Sequence, residues 1–568
     1  MIEILKKNWQ VVLLFVLAIF VVLPLFYPGY FSHHDDLQVM RIFEMRKCFS
    51  DLQIPCRWVS DMGYGNGFPL FNYYSAFPYY IGGLLSFLLG FIGAAKALFF
   101  IPLFFGGVTI YLLGKELFGK LGGFVSGVLY LFAPYRALDS YVRGAIAESF
   151  ALLLIPIVFF ASLKLIKSNR FDKFYFILTA MSLGAFLTSH NIMTIMFLPI
   201  LIVWVIFWIL IDKKYQSIRP LILSFCLGMG LAAFFILPAF FEKGLVRTET
   251  LTRYDLDFRA HFVSINQVLF SRFWGYGAAA PDHQDTISYQ VGWPHWWIAV
   301  SVFLISIYLC LIYFLKRKIN INSKRIIFLN LFFFIVFLIS LFMMHNKSAF
   351  VWEKIGILHY AQFPWRFLAI SIFSSSLLGG FLVALFKGKI QLVFTAFLVV
   401  VIVFLNFGYF HPGEYFFNLT DEQKLSGKLW EEQQKASILD YLPKDALEPK
   451  ESAPYIPLIH SGKAQVQDYK NKSNSFEFKL TVKSDSKIEI PIYDFPNWRV
   501  FANNLEIAHD HQNFLGRIQI NLKPGQYLIT GRFTNTPIRT ISNLITLLSF
   551  LLVFIIVYYG KFSKFKKS

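Results

Sequence analysis

Long, nearly uncharged apolar runs separated by short basic connectors recur along most of the chain. About 20 such residues in a helix cross the hydrocarbon of a bilayer. The pattern predicts membrane helices near residues 10–28, 97–114, 121–135, 147–164, 174–189, 192–211, 220–240, 296–315, 326–344, 367–386, 390–408 and 541–560. The first run is too long for a cleaved leader and lacks a small-residue cleavage site, so it counts as a span. A thirteenth apolar piece, 77–93, is short, glycine-rich and headed by Pro78, Tyr79 and Tyr80. It is expected to lie along, or dip into, the outer interface.

After residue 410 the pattern changes. Thr420 to Leu442 reads as a helix opened by a capping box of Thr420 and Gln423. Beyond Lys472 apolar and polar residues alternate, as in Phe476, Phe478, Leu480, Val482 and then Ile488, Ile490, Ile492. That period of two predicts a small antiparallel β-sandwich. The expected architecture is a polytopic α-helical membrane protein of about 12–13 spans with an external C-terminal β-sandwich before the last span. Residues 1–410 form the transmembrane domain with a large first external loop, 29–95; residues 411–540 form the external domain; residues 541–568 form the last span and a basic tail.

Composition agrees with this division. The chain has 56% hydrophobic, 19% aromatic and 15% charged residues, against roughly a quarter charged in ordinary globular proteins, which excludes a soluble enzyme. The net charge of +19 would suggest nucleic acid if it were spread over a face. Instead it sits in the short connectors: Lys6 and Lys7, Lys115 and Lys120, Lys164 to Lys173, Lys213 to Arg219, Lys316 to Arg325, Lys387 and Lys389, and Lys561 to Lys567. Short Lys- and Arg-rich loops stay in the cytoplasm, so both termini are expected inside and the long loops outside, in the cell membrane. No basic face remains for nucleic acid. Four cysteines without a CxxC pair give no zinc or redox signature; Cys48 and Cys56, on the external side, are spaced for a disulfide.

The candidate chemistry gathers at the external ends of spans. Span 1 leads into Phe31-Ser32-His33-His34-Asp35-Asp36, and a carboxylate this near hydrocarbon must be paired or used. His33 and His34, being adjacent, point to different sides, which weakens a two-histidine metal site. A second acid follows in Asp139-Ser140-Tyr141-Val142-Arg143-Gly144-Ala145-Ile146-Ala147-Glu148. Glu148 opens an apolar helix, where the dipole favours a carboxylate. Arg143 beside Gly144 offers a phosphate oxygen a guanidinium and a close approach. Asp36 and Glu148 are candidate ligands of a divalent cation (Mg or Mn), or divide into ligand and base.

Arg366 in Phe363-Pro364-Trp365-Arg366 is a second phosphate clamp, and His190 sits at the outer end of a span. The first loop adds Arg57 and the run from Gly63 and Tyr64 to Tyr73 and Tyr74, whose interleaved aromatics and glycines suit sugar stacking, a lipid tail or interfacial anchoring. That run lacks the lysine and the strand-to-helix setting of a nucleotide P-loop. The third long loop, about 241–295, reads as a cover over a cavity. In the C-terminal block, Tyr493, Asp494 and Trp498 suit a sugar platform, and the core of the sandwich explains the two aromatics as well.

His34 and Asp35 through Pro55, Arg57, Trp58, the Gly-Tyr-Gly run and Pro69, with Arg143-Gly144, Glu148 and Phe363 to Arg366, resemble the bacterial membrane family labelled 6-pyruvoyl-tetrahydropterin-synthase-related, close to the YfhO-like proteins. Gly531 to Arg539 resembles the end of the β-domain in that family. More distantly the layout resembles the GT-C glycosyltransferases. Asp35 and Asp36 match their acidic pair after span 1, and the Arg143, Gly144, Glu148 spacing is similar to the second motif of oligosaccharyltransferase. Ala145 to Ala147 stand where that motif has a further acid, which puts a metal requirement in doubt.

The resemblance implies transfer of a sugar from a polyprenyl-phosphate carrier, with inversion, to a glycan, protein or lipid acceptor on the outer face. In that reading Asp35 or Asp36 is the general base. Arg143 and Arg366, with a cation held by Glu148, stabilise the departing phosphate, and His34, His190, Tyr64 and Arg57 contact substrate. The rival classes are a transporter or flippase of lipid-linked glycans, which would place charges midway along spans or break its helices, and a non-catalytic cell-envelope assembly factor.

Overall fold

The computed structural model describes residues 8–168, 170–279, 284–316 and 321–565. Of the basic connector residues, Lys6, Lys7, Arg317, Lys318, Lys566 and Lys567 lie outside these ranges. The helices that matter here are α1 (Trp9–Val22), α2 (Gln38–Ser50), α3 (Phe77–Leu131), α4 (Ile146–Lys167), α5 (Lys173–Ser189), α6 (Asn191–Ile211), α7 (Ile218–Leu231) and α8 (Ala233–Phe241). They are followed by α9 (Trp293–Lys316), α10 (Ile321–Met344), α11 (Leu368–Ala384), α12 (Gly388–Asn406), α13 (Gly427–Lys435) and α14 (Pro537–Phe565).

Among the described residues, nine helices are long and apolar enough to cross a membrane, ten if α7 and α8, bent by 73°, form one span. The chain is a multi-pass membrane protein. The difference from the twelve runs read in the sequence is one of division. The 97–114 and 121–135 runs both fall in α3, a 55-residue element interrupted by positive φ at Gly90 and Gly119, and α5 is a shorter apolar helix of 17 residues. A glycine adopts positive φ without a Cβ penalty, so these two positions turn the chain where a sequence count of apolar residues sees only continuity. The leg of α3 before Gly90 lies on α2, close enough that a Cβ at Gly83 would meet Met45 and Phe49.

The bundle is built around α11, which is almost wholly covered, whereas α12 and α14 keep most of their surface outward. Seven in ten of the window residues of α4 are buried as well (72%), and this helix carries Glu148. In water an outward apolar face would be a liability; in lipid it is the expected surface.

The region read as one helix from Thr420 to Leu442 is broken into parts. The capping box is present, with the Thr420 side chain accepting from Gln423 N, but the helix it opens covers only Asp421–Lys424 before α13 begins. Gly427, with φ 54°, separates the two. We refer to residues 421–441 as the strap. Beyond it lie β1 (Leu458–Asn471), β2 (Ser475–Tyr493), β3 (Trp498–Ala502), β4 (Leu505–Ile507), β5 (Arg517–Leu522) and β6 (Gly525–Phe533). They form one antiparallel sheet in the order β1-β2-β6-β3-β4, with β5 also paired to β2. The 19-residue β2 pairs with β6 along its first half and with β5 along its second, so Phe476, Phe478, Leu480, Ile488, Ile490 and Ile492 point into one core. Tyr493 and Trp498 are buried in that core as well. The sugar platform expected from them is not there, because alternation turned their rings inward.

Several links fasten this block to the membrane part, two of them near its ends. Tyr30–Phe31 pairs antiparallel with Tyr415–Phe416. Arg539 of α14 donates to Glu242 at the end of α8 (2.8 Å), whose other oxygen accepts from Thr536. Cys48 and Cys56 are joined in a disulfide that closes α2 onto the following loop.

Candidate functional site

The segment after α1 is placed by backbone hydrogen bonds before any side chain acts. Gly29, with φ 69°, lets the chain pass the Phe416 carbonyl, which a Cβ there would strike. His34 N then donates to Val142 O (2.9 Å) and Asp35 N to Arg143 O (3.0 Å), while the Gln38 side chain donates to Gly144 O (2.7 Å). The two external-type loops singled out in the sequence are therefore stitched together residue by residue. Gly144, at φ 70°, leaves its missing Cβ to His33, whose Nδ1 lies 2.4 Å from where a Cβ would stand. His33 is enclosed against Tyr30, its Nε2 3.0 Å from the Tyr30 hydroxyl, and burial pushes its imidazole down to about 4. It packs this junction as a neutral ring.

The second loop turns through Leu138–Val142 into Arg143, and α4 begins at Ile146. Glu148 is fully buried in the first turn of α4. It accepts from Arg143 Nη1 (2.9 Å) and from the Tyr135 hydroxyl, and Arg366 Nε stands 3.8 Å from the same Glu148 oxygen that faces Arg143. Arg143 also donates to Asp139, and its guanidinium lies 4.7 Å from the Trp365 ring centre. Burial, together with the Glu148 charge, pushes the Asp139 carboxyl well above its usual range, with Arg143 opposing. Arg366 is held by the Ala361 carbonyl (2.8 Å) and the Gln362 side chain (3.1 Å), yet its buried Nε has no hydrogen-bond partner. Such an unsatisfied donor of a cation is costly unless a ligand completes it. His190 ends α5 and caps α6, its Nδ1 accepting from Met193 N.

These groups open onto one cavity of about 1100 Å³, whose polar lining includes His34, Asp35, Arg143, Glu148, His190 and Arg366. Asp35 accepts from Arg41 Nη1 (2.6 Å) and from Gln38 (3.1 Å) and keeps about a third of its side chain exposed (33%). The rest of the lining is apolar: Leu187, Ile195, Leu198, Ile202, Phe225, Met229 and Phe240 from α5 to α8. Ile202, Met229 and Phe240 stay exposed although they line the cavity, so its apolar end is open. Segments of the third long loop, among them Thr248, Leu251, Asp255 and Ile287, complete the wall.

Three of the residues singled out in the sequence lie elsewhere. Asp36, next to Asp35, turns away from the cavity and pairs with Lys424 of the strap (2.5 Å), with His33 Nε2 at 3.9 Å. Arg57 is buried between Asn72 and Asn543, donating to each at 2.8 Å. Tyr64 donates to Glu448 (3.2 Å) on the way to the sheet. Of the two expected metal ligands, Asp36 pairs through one oxygen with a lysine, and both Glu148 oxygens accept from donors. No group of three or more His, Cys, Asp or Glu suited to a metal ion occurs among the described residues.

The cavity also contains residues that sequence reading passed over. Arg41 sits in α2, a helix of low hydropathy whose Arg41 and Glu44 are nonetheless buried. Asp440 and Tyr441 come from the strap, and beside them stand Tyr73 and Tyr74, which belong to the aromatic run already singled out in the first loop. The one available signal was the closeness of Arg41 to Asp35, within two helical turns.

Residues 71–412, more than half of the chain, match the family described as "6-pyruvoyl-tetrahydropterin synthase related domain; membrane protein", and the chain belongs to that family. An uncharacterized protein of Lactococcus lactis subsp. cremoris (strain MG1363) is 24% identical over 247 residues, which is 41% of this chain and 40% of that protein; the chain thus spans less than half the length of this relative. Among solved structures, the arabinofuranosyltransferase AftD from Mycobacteria is similar with a TM-score of 0.44 and 14% identity, over 73% of this chain and 28% of that one. The Archaeoglobus fulgidus oligosaccharyltransferase gives 0.40 and 14% over 75% and 57%, and ArnT from Cupriavidus metallidurans bound to undecaprenyl phosphate gives 0.30 and 12% over 66% and 77%. At these scores the likenesses carry no argument about chemistry.

Proposed function

We propose that this protein is a membrane glycosyltransferase of the GT-C kind. It takes a sugar from a polyprenyl-phosphate donor and passes it, with inversion, to a glycan, protein or lipid acceptor on the external face, both termini being cytoplasmic. One observation carries the reading. A single cavity combines an open apolar end, walled by α5 to α8, with a polar end where Asp35, Arg143, Glu148, Arg366 and His190 converge. A donor with a long hydrocarbon tail and an anionic head needs both halves at once.

In this mechanism the carrier phosphate rests against Arg143 and Arg366, whose unsatisfied Nε completes its set of hydrogen bonds there. Glu148 and Tyr135 hold Arg143 in place from behind. Asp35, fixed by Arg41 and reachable from the cavity, takes the proton of the acceptor hydroxyl as its oxygen attacks the anomeric carbon. The C–O bond to the carrier breaks, and the polyprenyl phosphate leaves with its charge met by the two guanidinium groups. No step here passes through a divalent cation; Asp35 and Glu148 are the acidic groups of the cavity nearest to that task.

The bend of 73° between α7 and α8 favours a second reading, a flippase, since broken helices are common in transporters. Purified protein in vesicles, given a polyprenyl-phosphate sugar labelled in the sugar together with a crude acceptor extract, separates the two. An enzyme moves label off the polyprenyl carrier onto another molecule. A flippase leaves it on the lipid but changes its leaflet, and that outcome would remove the transferase reading.

A further inference from the structure

The cavity has a second polar group that the proposed chemistry leaves unused. It is carried by the strap, which is fastened along its length. Asp421 accepts from Phe91 N (2.6 Å) and Ile92 N (2.8 Å), capping the leg of α3 that starts after Gly90. Lys424 holds Asp36 (2.5 Å), and Gln434 donates to Asp61 O (2.9 Å). At the far end Leu439 O accepts from Thr250 (2.7 Å) and Leu442 O from Arg247 N (2.9 Å). A chain tied at so many points holds Asp440 and Tyr441 in fixed places on the cavity wall.

Tyr441 stacks on Tyr73, ring centres 5.6 Å apart and nearly parallel at 15°. Among the described residues Asp440 has no cation within ion-pair distance; its carboxyl is met by the Ser437 hydroxyl, and the charges that act on it are those of Arg41, already bound to Asp35 at 2.6 Å, and of Asp35 itself. A carboxylate offers about four acceptor positions, so the single Ser437 hydroxyl leaves room for donors from a ligand in the cavity. The groups around it would repel a phosphate and leave that to Arg143 and Arg366. What they suit is a neutral, hydroxyl-rich ring: carboxylate oxygens accept from neighbouring hydroxyls, and tyrosine faces take the C–H side of a sugar.

The geometry points to Asp440, with the Tyr73–Tyr441 pair, as a carbohydrate subsite that holds the sugar of the lipid-linked donor while the arginines hold its phosphate. This rests on the glycosyltransferase reading and adds a residue to it. The strap, delivered from the sheet-bearing block, then decides which sugar is accepted, whereas the transmembrane helices recognise only the carrier.

Binding to protein in nanodiscs tests this. The probes are bare undecaprenyl phosphate and undecaprenyl-phosphate glucose, mannose and arabinose, against wild type, Asp440→Asn, Asp440→Ala and Arg366→Gln, with thermal unfolding to confirm that each variant is folded. We expect wild type to hold one of the sugar lipids more tightly than the bare lipid. Asp440→Ala should lose about ten-fold for that lipid, with no change for the bare one, and Arg366→Gln should weaken both. Equal affinities in wild type and Asp440→Ala, an equal loss on both probes, or no preference by wild type for any sugar lipid would each overturn the subsite. Failure of wild type to bind even bare undecaprenyl phosphate would instead remove the lipid-carrier reading beneath it.

Discussion

The amide of Asp35 donates to the carbonyl of Arg143 at 3.0 Å, so a residue just after α1 and one just before α4 share a single hydrogen bond at the rim of the cavity. Their side chains have different duties. Asp35 faces Arg41, and Arg143 faces Glu148. Because the joint is made by backbone, its geometry survives substitution of either side chain, and single variants report chemistry rather than collapse.

Gly144→Ala should damage the joint itself. The residue sits at φ 70°, and an added Cβ would lie 2.4 Å from His33 Nδ1. Alanine at positive φ costs about 1 kcal/mol before the clash is counted. A lower unfolding temperature in detergent is expected, partly restored by His33→Ala, which makes room. An unchanged temperature in Gly144→Ala would show that this packing is wrong.

The adjacent aspartates should behave differently. Asp35→Asn removes the proposed base and should lower turnover by about a hundred-fold or more, with donor binding kept. Asp36→Asn disturbs the tie to Lys424 and the longer contact with His33, neither of which faces the cavity, so its effect should be small and should not add to that of Lys424→Met. Kinetics of the four variants, including the double one, check this.

Glu148→Gln leaves Arg143 with one full charge fewer to face in a buried setting. Breaking a buried ion pair on one side costs about 3–5 kcal/mol, though Asp139, which also accepts from Arg143, can take up part of the loss. Stability should therefore fall less in Glu148→Gln than in Glu148→Gln with Asp139→Asn. Thermal unfolding of both gives the comparison.

Much of the architecture was legible because lipid-facing helices are written in composition: Trp9 to Phe26 or Gly388 to Tyr409 cannot be anything else at that hydropathy. Alternation likewise announced β2. What could not be read was direction. Asp35 and Asp36 are neighbours in a turn, and only the fold decides that one meets Arg41 and the other Lys424. Arg41 and Asp440 were missed for the same reason. Each lies in a stretch whose polarity reads as solvent-facing, and long-range packing, not local pattern, buries it. Glycine turns at Gly90 and Gly119 changed the division of spans because an apolar run carries no record of a left-handed residue inside it.

Acid should act on the strap through Asp440. Burial pushes its carboxyl up to about 6, with Arg41 opposing, so the folded protein binds this proton more tightly than the unfolded chain does. The resulting stability is full below the ordinary carboxylate range and is lost as pH rises through about 6. Two pKa steps set an upper bound of about 3 kcal/mol, reduced by partial exposure. His33, pushed down to about 4, works in the opposite sense, losing stability as pH falls from its ordinary value. The difference between wild type and Asp440→Asn across pH 4 to 6 is therefore the readout. Wild type should lose stability relative to the variant as pH rises, and parallel curves would contradict the placement of Asp440.

The most direct test of the central claim follows a labelled sugar on an undecaprenyl-phosphate donor in nanodiscs, with an extract supplying acceptor and with wild type compared to Asp35→Asn at matched donor occupancy. The account predicts that wild type transfers label from lipid to acceptor while Asp35→Asn binds the donor and keeps the label on it. Equal transfer by both, or none by wild type with donor bound and acceptor present, would contradict it.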